Sequence, residues 1–162
     1  MKFINTVIVP FVFKLTAAPM RFKELLNANK FYHDGMNLEN NIHGFKLRLG
    51  RAYLVFFAFF LLINIPVVGV LHEIIKDFDS HVLIILTALI TGSFFILFSM
   101  FKEFLVEKVA LIIIQKGWSK HLSLFPFDEY GKDVAFLYGQ AVEEEIAIGN
   151  LQHYIFDHLS QK

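Results

Sequence analysis

The sequence predicts an all-α integral membrane protein, in which a two-span transmembrane helical hairpin is flanked by amphipathic N-terminal helices and a cytoplasmic C-terminal helical region. Three observations predict it. The chain of 162 residues is 56% hydrophobic, contains 20 Phe and has no net charge, which is too apolar for an average soluble domain. Residues 52–71 and 82–101 each contain no Asp, Glu, Lys, Arg or His. Only the short stretch 72–81 separates the two runs.

Each apolar run has the length of a membrane span. About 20 residues at about 1.5 Å per residue reach the ~30 Å thickness of the hydrocarbon core. The alternative is a pair of buried helices in a soluble α-helical protein, but a globule of this size can seldom surround two fully apolar helices. Residues 72–81, HEIIKDFDSH, are then the exposed turn of the hairpin, and both chain ends lie on one side.

The distribution of Lys and Arg predicts which side that is. Eight of these residues precede Ala52, four lie in the twenty residues after Phe101, and the turn has one, Lys76. Because basic loops near spans are retained in the cytoplasm, both termini are expected there, with the protein in the inner cell membrane. The residues that suit the inner headgroup layer by type are Tyr53, Trp118, Lys46, Arg48 and Arg51.

Residues 1–51 form the predicted interfacial region. The start resembles a signal peptide, with an apolar stretch from Phe3 to Phe13 and small residues at Ala17 and Ala18. Pro10 and Lys14 interrupt that pattern, and the stretch is too short to span. An interfacial helix, or a shallow re-entrant segment kinked at Pro10, is the favoured interpretation.

A second amphipathic helix is predicted through MRFKELLNANKFY, beginning near Pro19 and ending at the Asp34-Gly35 turn signal. It is expected at the membrane surface. Residues 45–51, FKLRLGR, alternate apolar and basic side chains but have no identifiable partner strand. They are therefore predicted to be a helix entry whose basic side chains reach lipid phosphates.

Residues 102–162 form the predicted cytoplasmic region. One helix is expected from residue 82 to 116, with Gly117 as its stop, so that it extends beyond the membrane. A C-terminal helix from Asp133 to Leu159 is expected to cover the apolar residues 109–114. Its heptad seam supplies the assembly candidates, with Glu144 as the polar exception, within one chain or between subunits: Val134, Ala141, Glu144, Ile148 and Ile155.

Within the spans, a few residues are candidates for helix packing or for lining a pore. Small residues four apart permit close approach of another helix, a proline predicts a kink, and an amide side chain next to it could bond a freed carbonyl. Two threonines would line a channel in the pore interpretation. The candidates are Asn64, Pro66, Thr87, Ala88, Thr91 and Gly92.

Signals for chemistry are weak. The chain has no Cys, no HExxH, no Gly-rich phosphate loop and no nucleophile elbow, so no catalytic residue is predicted and the chain is not expected to be an enzyme. His72 and His81, helped by Glu73, Asp77 and Asp79, could ligate haem or a divalent ion, but a solvated turn is the favoured interpretation. The triplet Glu143–Glu145 and the pair His153 and Asp157 are typical of an ordinary helix surface. No metal, cofactor or nucleic acid is expected.

The expected function is a non-enzymatic integral membrane subunit that self-associates or anchors a partner complex in the membrane. Its expected partners are the lipid bilayer and further copies of the chain or other membrane subunits. The alternative is an oligomeric two-span ion channel or pore, since two-span subunits need symmetry to enclose a path. A haem-binding membrane redox subunit is the third possibility.

Overall fold

A computed structural model describes residues 3–16, 20–75 and 79–160, with the backbone alone at 71–75. The protein is mostly helical, as predicted. A π-helical segment, Ile4–Ile8, leads into the elements α1 Val9–Val12, β1 Phe13–Leu15, α2 Phe22–His33, α3 Leu38–Asn41, β2 Phe45–Leu47, α4 Leu49–Ile75, α5 Ser80–His121, α6 Phe127–Glu143 and α7 Leu151–Ser160.

Helices α4 and α5 are the two long apolar helices that the sequence predicts, and both could cross a membrane. They are longer than the apolar runs. Helix α4 continues to Ile75 and α5 already begins at Ser80, so the stretch predicted as a turn is helical at both of its ends. Lys76, Asp77 and Phe78 lie outside the described residues.

Pro66 lies inside α4 and removes one backbone donor, which leaves the carbonyl of Leu62 without its usual helical partner. We expected Asn64 to bond a freed carbonyl. Its amide instead donates to the carbonyl of Phe60 at 2.8 Å, one turn before Asn64 itself. The amide of Asn64 thus donates within its own helix, but not to the carbonyl that Pro66 leaves free.

The described chain divides into two compact units, and the first comprises Met1–Val12 and Leu47–Leu105. Aromatic rings join α4 to α5 here. Tyr53 stacks on Phe98 with ring centroids 3.7 Å apart, and Phe60 meets Phe94 edge to face at 5.1 Å. Because the contact moves forward along α4 as it moves backward along α5, these rings pair the helices in opposite directions.

The N-terminal segment belongs to the same unit. Ile8, Val9 and Val12 are buried, and α1 packs against α4. Arg51 fixes this arrangement from α4: its guanidinium donates to the carbonyl of Phe11 at 3.2 Å and lies 5.0 Å from the centre of the Phe11 ring. The segment therefore has one face on the protein and one face exposed.

A two-stranded sheet was not predicted. Strand β1 is the partner of β2, so the prediction of a helix entry is wrong for residues 45–47. The amide of Arg48 donates to the carbonyl of Val12, and the amide of Thr16 donates to that of Gly44, both at 2.8 Å. This pattern is antiparallel. The partner was missed because β1 has only three residues and begins at Phe13, the last residue of the apolar stretch interpreted as an interfacial segment.

The second unit comprises Phe13–Lys46 and Val106–Lys162. Its core is formed by the apolar faces of α2, the last part of α5, α6 and α7. Leu25 and Leu26 of α2 are completely buried in this core. The prediction that α2 lies with its apolar face on the membrane surface is therefore wrong, because that face is covered by protein.

Trp118 also lies in this core and not in a headgroup layer as predicted. Its side chain is buried, and the indole N–H donates to the carbonyl of Phe125 at 2.6 Å. Gly117 does not stop the helix, since α5 continues to His121. A Cβ at Gly117 would lie 3.2 Å from Leu25 Cδ1, so the missing side chain permits close packing of α2.

The prediction of a single C-terminal helix is wrong as well. Helix α6 ends at Glu143, α7 begins at Leu151, and Glu145 between them has a positive φ of 53°. Of the predicted seam, Val134, Ala141 and Ile155 are buried in the core, where they join the α5 residues Ala110 and Ile114. The C-terminal region thus covers α5 as expected, through two helices.

The other two seam residues lie in the connection. Ile148 is 65% exposed and Glu144 is exposed at the end of α6, where it bonds the Tyr154 hydroxyl. The heptad spacing was misleading because a seven-residue interval also spans a break between two helices.

Replacing Ile155 by Ala should lower the free energy of unfolding of the second unit by about 2–5 kcal/mol, because it opens a cavity in a fully buried site. Ile148→Ala, the matched control in the connection, should change it by less than about 0.5 kcal/mol. Urea denaturation in mild detergent, followed by the fluorescence of the sole tryptophan, Trp118, measures both. Equal effects of the two substitutions would contradict the break between α6 and α7.

Candidate functional site

The first unit exposes the apolar exterior of α4 and α5. Only 6% of the most apolar stretch of each helix is buried, and side chains such as Leu62 and Ile84 are 70% and 67% exposed. A core helix of a soluble protein would be largely covered. A contiguous apolar surface of this extent marks contact with lipid or with another protein.

Two threonine side chains on this surface form hydrogen bonds within their own helix. The hydroxyl of Thr87 donates to the carbonyl of Leu83, and that of Thr91 donates to the carbonyl of Thr87, both at 2.8 Å. Such bonds let hydroxyl groups sit in an apolar medium without an outside partner. In the pore interpretation the same hydroxyl groups would line the channel, but their hydrogens are already donated to backbone carbonyls.

The predicted small-residue pair lies on the same surface. Ala88 and Gly92 are exposed, and a Cβ at Gly92 would meet no atom of the described chain within 4 Å. A shallow groove of about 400 Å³, lined by Leu83, Ile84, Thr87 and Ala88, lies one turn before Gly92. Helix α5 therefore presents a face with little bulk to whatever surrounds it.

The exposed face of the N-terminal segment is also apolar. Phe3, Val7 and Phe11 recur every four residues and are 62%, 52% and 39% exposed. Residues at this spacing share one side of a helix. The segment thus has two apolar faces. One is buried in protein, and the other is uncovered in the described chain.

A second candidate site lies between α2 and α6 in the second unit. Gly131, Ala135 and Gly139 follow each other at four-residue intervals on α6, and this narrow face permits α2 to approach. Asn29 is completely buried there and donates from its amide to the carbonyl of Gly131 at 2.7 Å. Two buried polar atoms have no partner in the described chain, Asn29 Oδ1 and His33 Nε2.

His33 is held against α6 by close packing. Its ring stacks on Phe127 at 6.1 Å, and a Cβ at Gly131 would lie 2.9 Å from His33 Nε2. Burial lowers the pKa of His33 below its ordinary value of 6.5, and the positive charge of Lys132 lowers it further, whereas Asp34 opposes the change. The imidazole is therefore favoured in its neutral form.

A groove of about 490 Å³ opens beside His33 between the two helices. Charged residues of both signs line it: Lys30, Asp34, Lys132 and Glu143. Lys30 and Asp34 form a salt bridge at 2.9 Å. The sequence analysis did not identify this site. The detectable signal was the four-residue spacing of Asn29 and His33 opposite a Gly-Ala-Gly pattern.

The described residues give no support to a metal or haem centre. No group of three or more His, Asp or Glu in this part of the chain is placed to hold a metal ion. His81 is exposed, but the side chains of His72, Glu73 and Asp77 lie outside the described residues, so the predicted absence of a ligand there remains a prediction. His153 and Asp157 form the expected helix pair at 3.1 Å on an exposed surface.

Comparison of the chain with protein-family models, with curated proteins and with solved structures found no match.

The position of His33 predicts a pH dependence. Because its pKa is lowered in the folded state, the unfolded chain binds the proton more readily between the ordinary value of 6.5 and the lower folded value. The contribution of the neutral His33 to the free energy of unfolding is therefore fully present above about pH 6.5. It is lost as the pH falls from there through the folded pKa.

His33→Gln should remove the decrease in the free energy of unfolding that protonation of His33 causes at low pH. His43→Gln, at an exposed imidazole, should leave that decrease in place. Urea denaturation from pH 7.5 to 5, followed by Trp118 fluorescence, is the measurement. Trp118 lies edge to face with Phe127, the ring on which His33 stacks, at 5.1 Å. An unchanged pH profile in the His33 variant would contradict the prediction.

Proposed function

We propose that this chain is a non-enzymatic integral membrane subunit that crosses the bilayer with α4 and α5 and associates with further copies of itself. The observation that carries the proposal is the exposed apolar surface of both helices. Only 6% of the most apolar stretch of each helix is buried. Helices α4 and α5 have 27 and 42 residues, which at about 1.5 Å per residue exceeds the ~30 Å that a span requires.

Two other classes of protein could contain such helices. In a soluble protein they would be core helices, but these would be mostly buried. In a secreted protein one of them would be a signal sequence near the N-terminus, whereas α5 begins only at Ser80 and is accompanied by α4. Membrane insertion of both helices accounts for their exposure without a further assumption.

A hairpin with both chain ends in the cytoplasm is the proposed topology, in the inner cell membrane. The opposed ring pairs between α4 and α5 support antiparallel spans. The excess of Lys and Arg before Ala52 and after Phe101 supports cytoplasmic ends. Residues 75 and 80 then lie at the outer surface.

The N-terminal segment fits the inner interface of such a membrane. Arg51 is the last basic residue before the apolar run that begins at Ala52, so it marks the level of the lipid phosphates. Phe11 is attached to Arg51 through its carbonyl and its ring. The exposed stripe of Phe3, Val7 and Phe11 would then contact the boundary between headgroups and acyl chains.

Self-association is proposed through the face of α5 that carries Ala88 and Gly92. Because helices in lipid have no hydrophobic driving force toward each other, close van der Waals packing at small residues is a main contribution to their association. The open groove before Gly92 can accept side chains of a second copy. Since Thr87 and Thr91 donate within α5, helix packing is favoured over a polar channel wall.

Gly92→Leu should convert the oligomer in mild detergent into monomer, because the added side chain separates the packed backbones. The matched control is Gly69→Leu on α4, where a Cβ likewise meets no atom within 4 Å. It should leave the oligomer intact. Size-exclusion chromatography with light scattering measures the mass of each variant.

A wild-type monomer across several mild detergents would contradict self-association. Particles seen as rings with a central opening would favour the channel, and mass added by an unrelated protein would favour the anchoring of a partner complex.

A further inference from the structure

The short sheet places two lysines directly opposite each other. The bonds from Arg48 to Val12 and from Thr16 to Gly44 fix the antiparallel register of β1 and β2. In that register each step forward on one strand is a step backward on the other, so Lys14 lies opposite Lys46. Side chains in directly opposite positions are about 5 Å apart at their Cβ atoms.

Both lysines extend from the same face of the ribbon. Phe13 and Phe45 meet edge to face with ring centroids 5.6 Å apart, and alternation along a strand places them on the other face. Lys14 and Lys46 are exposed. No salt bridge joins either ammonium group to a carboxylate within the described residues 3–16, 20–75 and 79–160. Like charges in opposite positions are destabilising, and a bound anion would relieve the repulsion between these two lysines.

We propose that Lys14 and Lys46 bind the phosphate of an anionic phospholipid headgroup between them. Each ammonium group has three donors, and a phosphate offers several acceptor oxygens at once, so two lysines at this separation can share one phosphate. The bound anion would remove the repulsion within the pair. No bond is made or broken in this interaction.

The chain itself points to a lipid as the source of the phosphate. The apolar run that begins at Ala52 starts only six residues after Lys46. Even a fully extended chain advances at most about 3.6 Å per residue, so Lys46 is tethered within about 22 Å of that run. The inference rests on the proposed membrane insertion of α4, which brings headgroups within reach of the pair.

The test measures binding of lipids to the purified, delipidated full chain in detergent by native mass spectrometry. The probes are phosphatidylglycerol and the zwitterionic phosphatidylcholine, with inorganic phosphate as the third. Wild-type protein is expected to prefer phosphatidylglycerol by about 30-fold, because each basic residue near a headgroup contributes about fivefold. The double substitution Lys14→Gln with Lys46→Gln should abolish this preference.

The charge-matched control is Lys23→Gln with Lys120→Gln, two exposed lysines of the same unit. It should keep the preference, and so should Lys14→Arg with Lys46→Arg, which retains both charges. Trp118 fluorescence verifies that each variant is folded.

Equal binding of the two lipids by wild-type protein, or an equal loss in the control, would overturn the site and leave membrane insertion standing. Inorganic phosphate that binds the pair as tightly as the lipid does would overturn the lipid as the source. A chain that stays soluble and monodisperse without detergent or lipid would instead overturn the proposed function.

Discussion

The apolar surface that α4 and α5 leave uncovered is the constraint on which the rest of the structure depends. In an apolar medium every backbone polar group must be bonded inside the chain, and a long helix is one of the few structures that does this. Three polar side chains of the two helices follow the same rule, since Asn64, Thr87 and Thr91 donate to carbonyls of their own helix. Pro66 interrupts the backbone pattern of α4 by freeing one carbonyl.

Helix α5 shows how one continuous element meets two kinds of surroundings. Its first half has scarcely any buried side chain, whereas from Leu105 onward buried residues recur on one side of the helix: Leu105, Val106, Val109, Ala110, Ile114 and Trp118. The second pattern is that of an amphipathic helix that packs one side against the interior of a protein. In the second unit that core is closed by the apolar face of α2, and glycines at 117 and 131 permit the close approach of its neighbours.

The sequence predicted what depends on long, uniform patterns and missed what depends on contacts between distant segments. Two apolar runs free of charge were enough to predict α4 and α5. The sheet was missed because its strands have three residues each and pair across about thirty residues of chain. The heptad spacing suggested one C-terminal helix, yet Glu145 adopts a left-handed conformation and Ile148 faces outward. The site of Asn29 and His33 was missed because it forms only with α6, about a hundred residues further along the chain.

Cysteine accessibility tests the central claim, that α4 and α5 cross the membrane as a pair, most directly. The chain has no native Cys, so Ser80→Cys at the start of α5 and Ser160→Cys at the end of α7 each supply a single exposed thiol. In intact cells an impermeant maleimide should label Ser80→Cys and should label Ser160→Cys only after permeabilisation. The same accessibility of both positions before permeabilisation would contradict the crossing, and the reverse pattern would contradict the orientation alone.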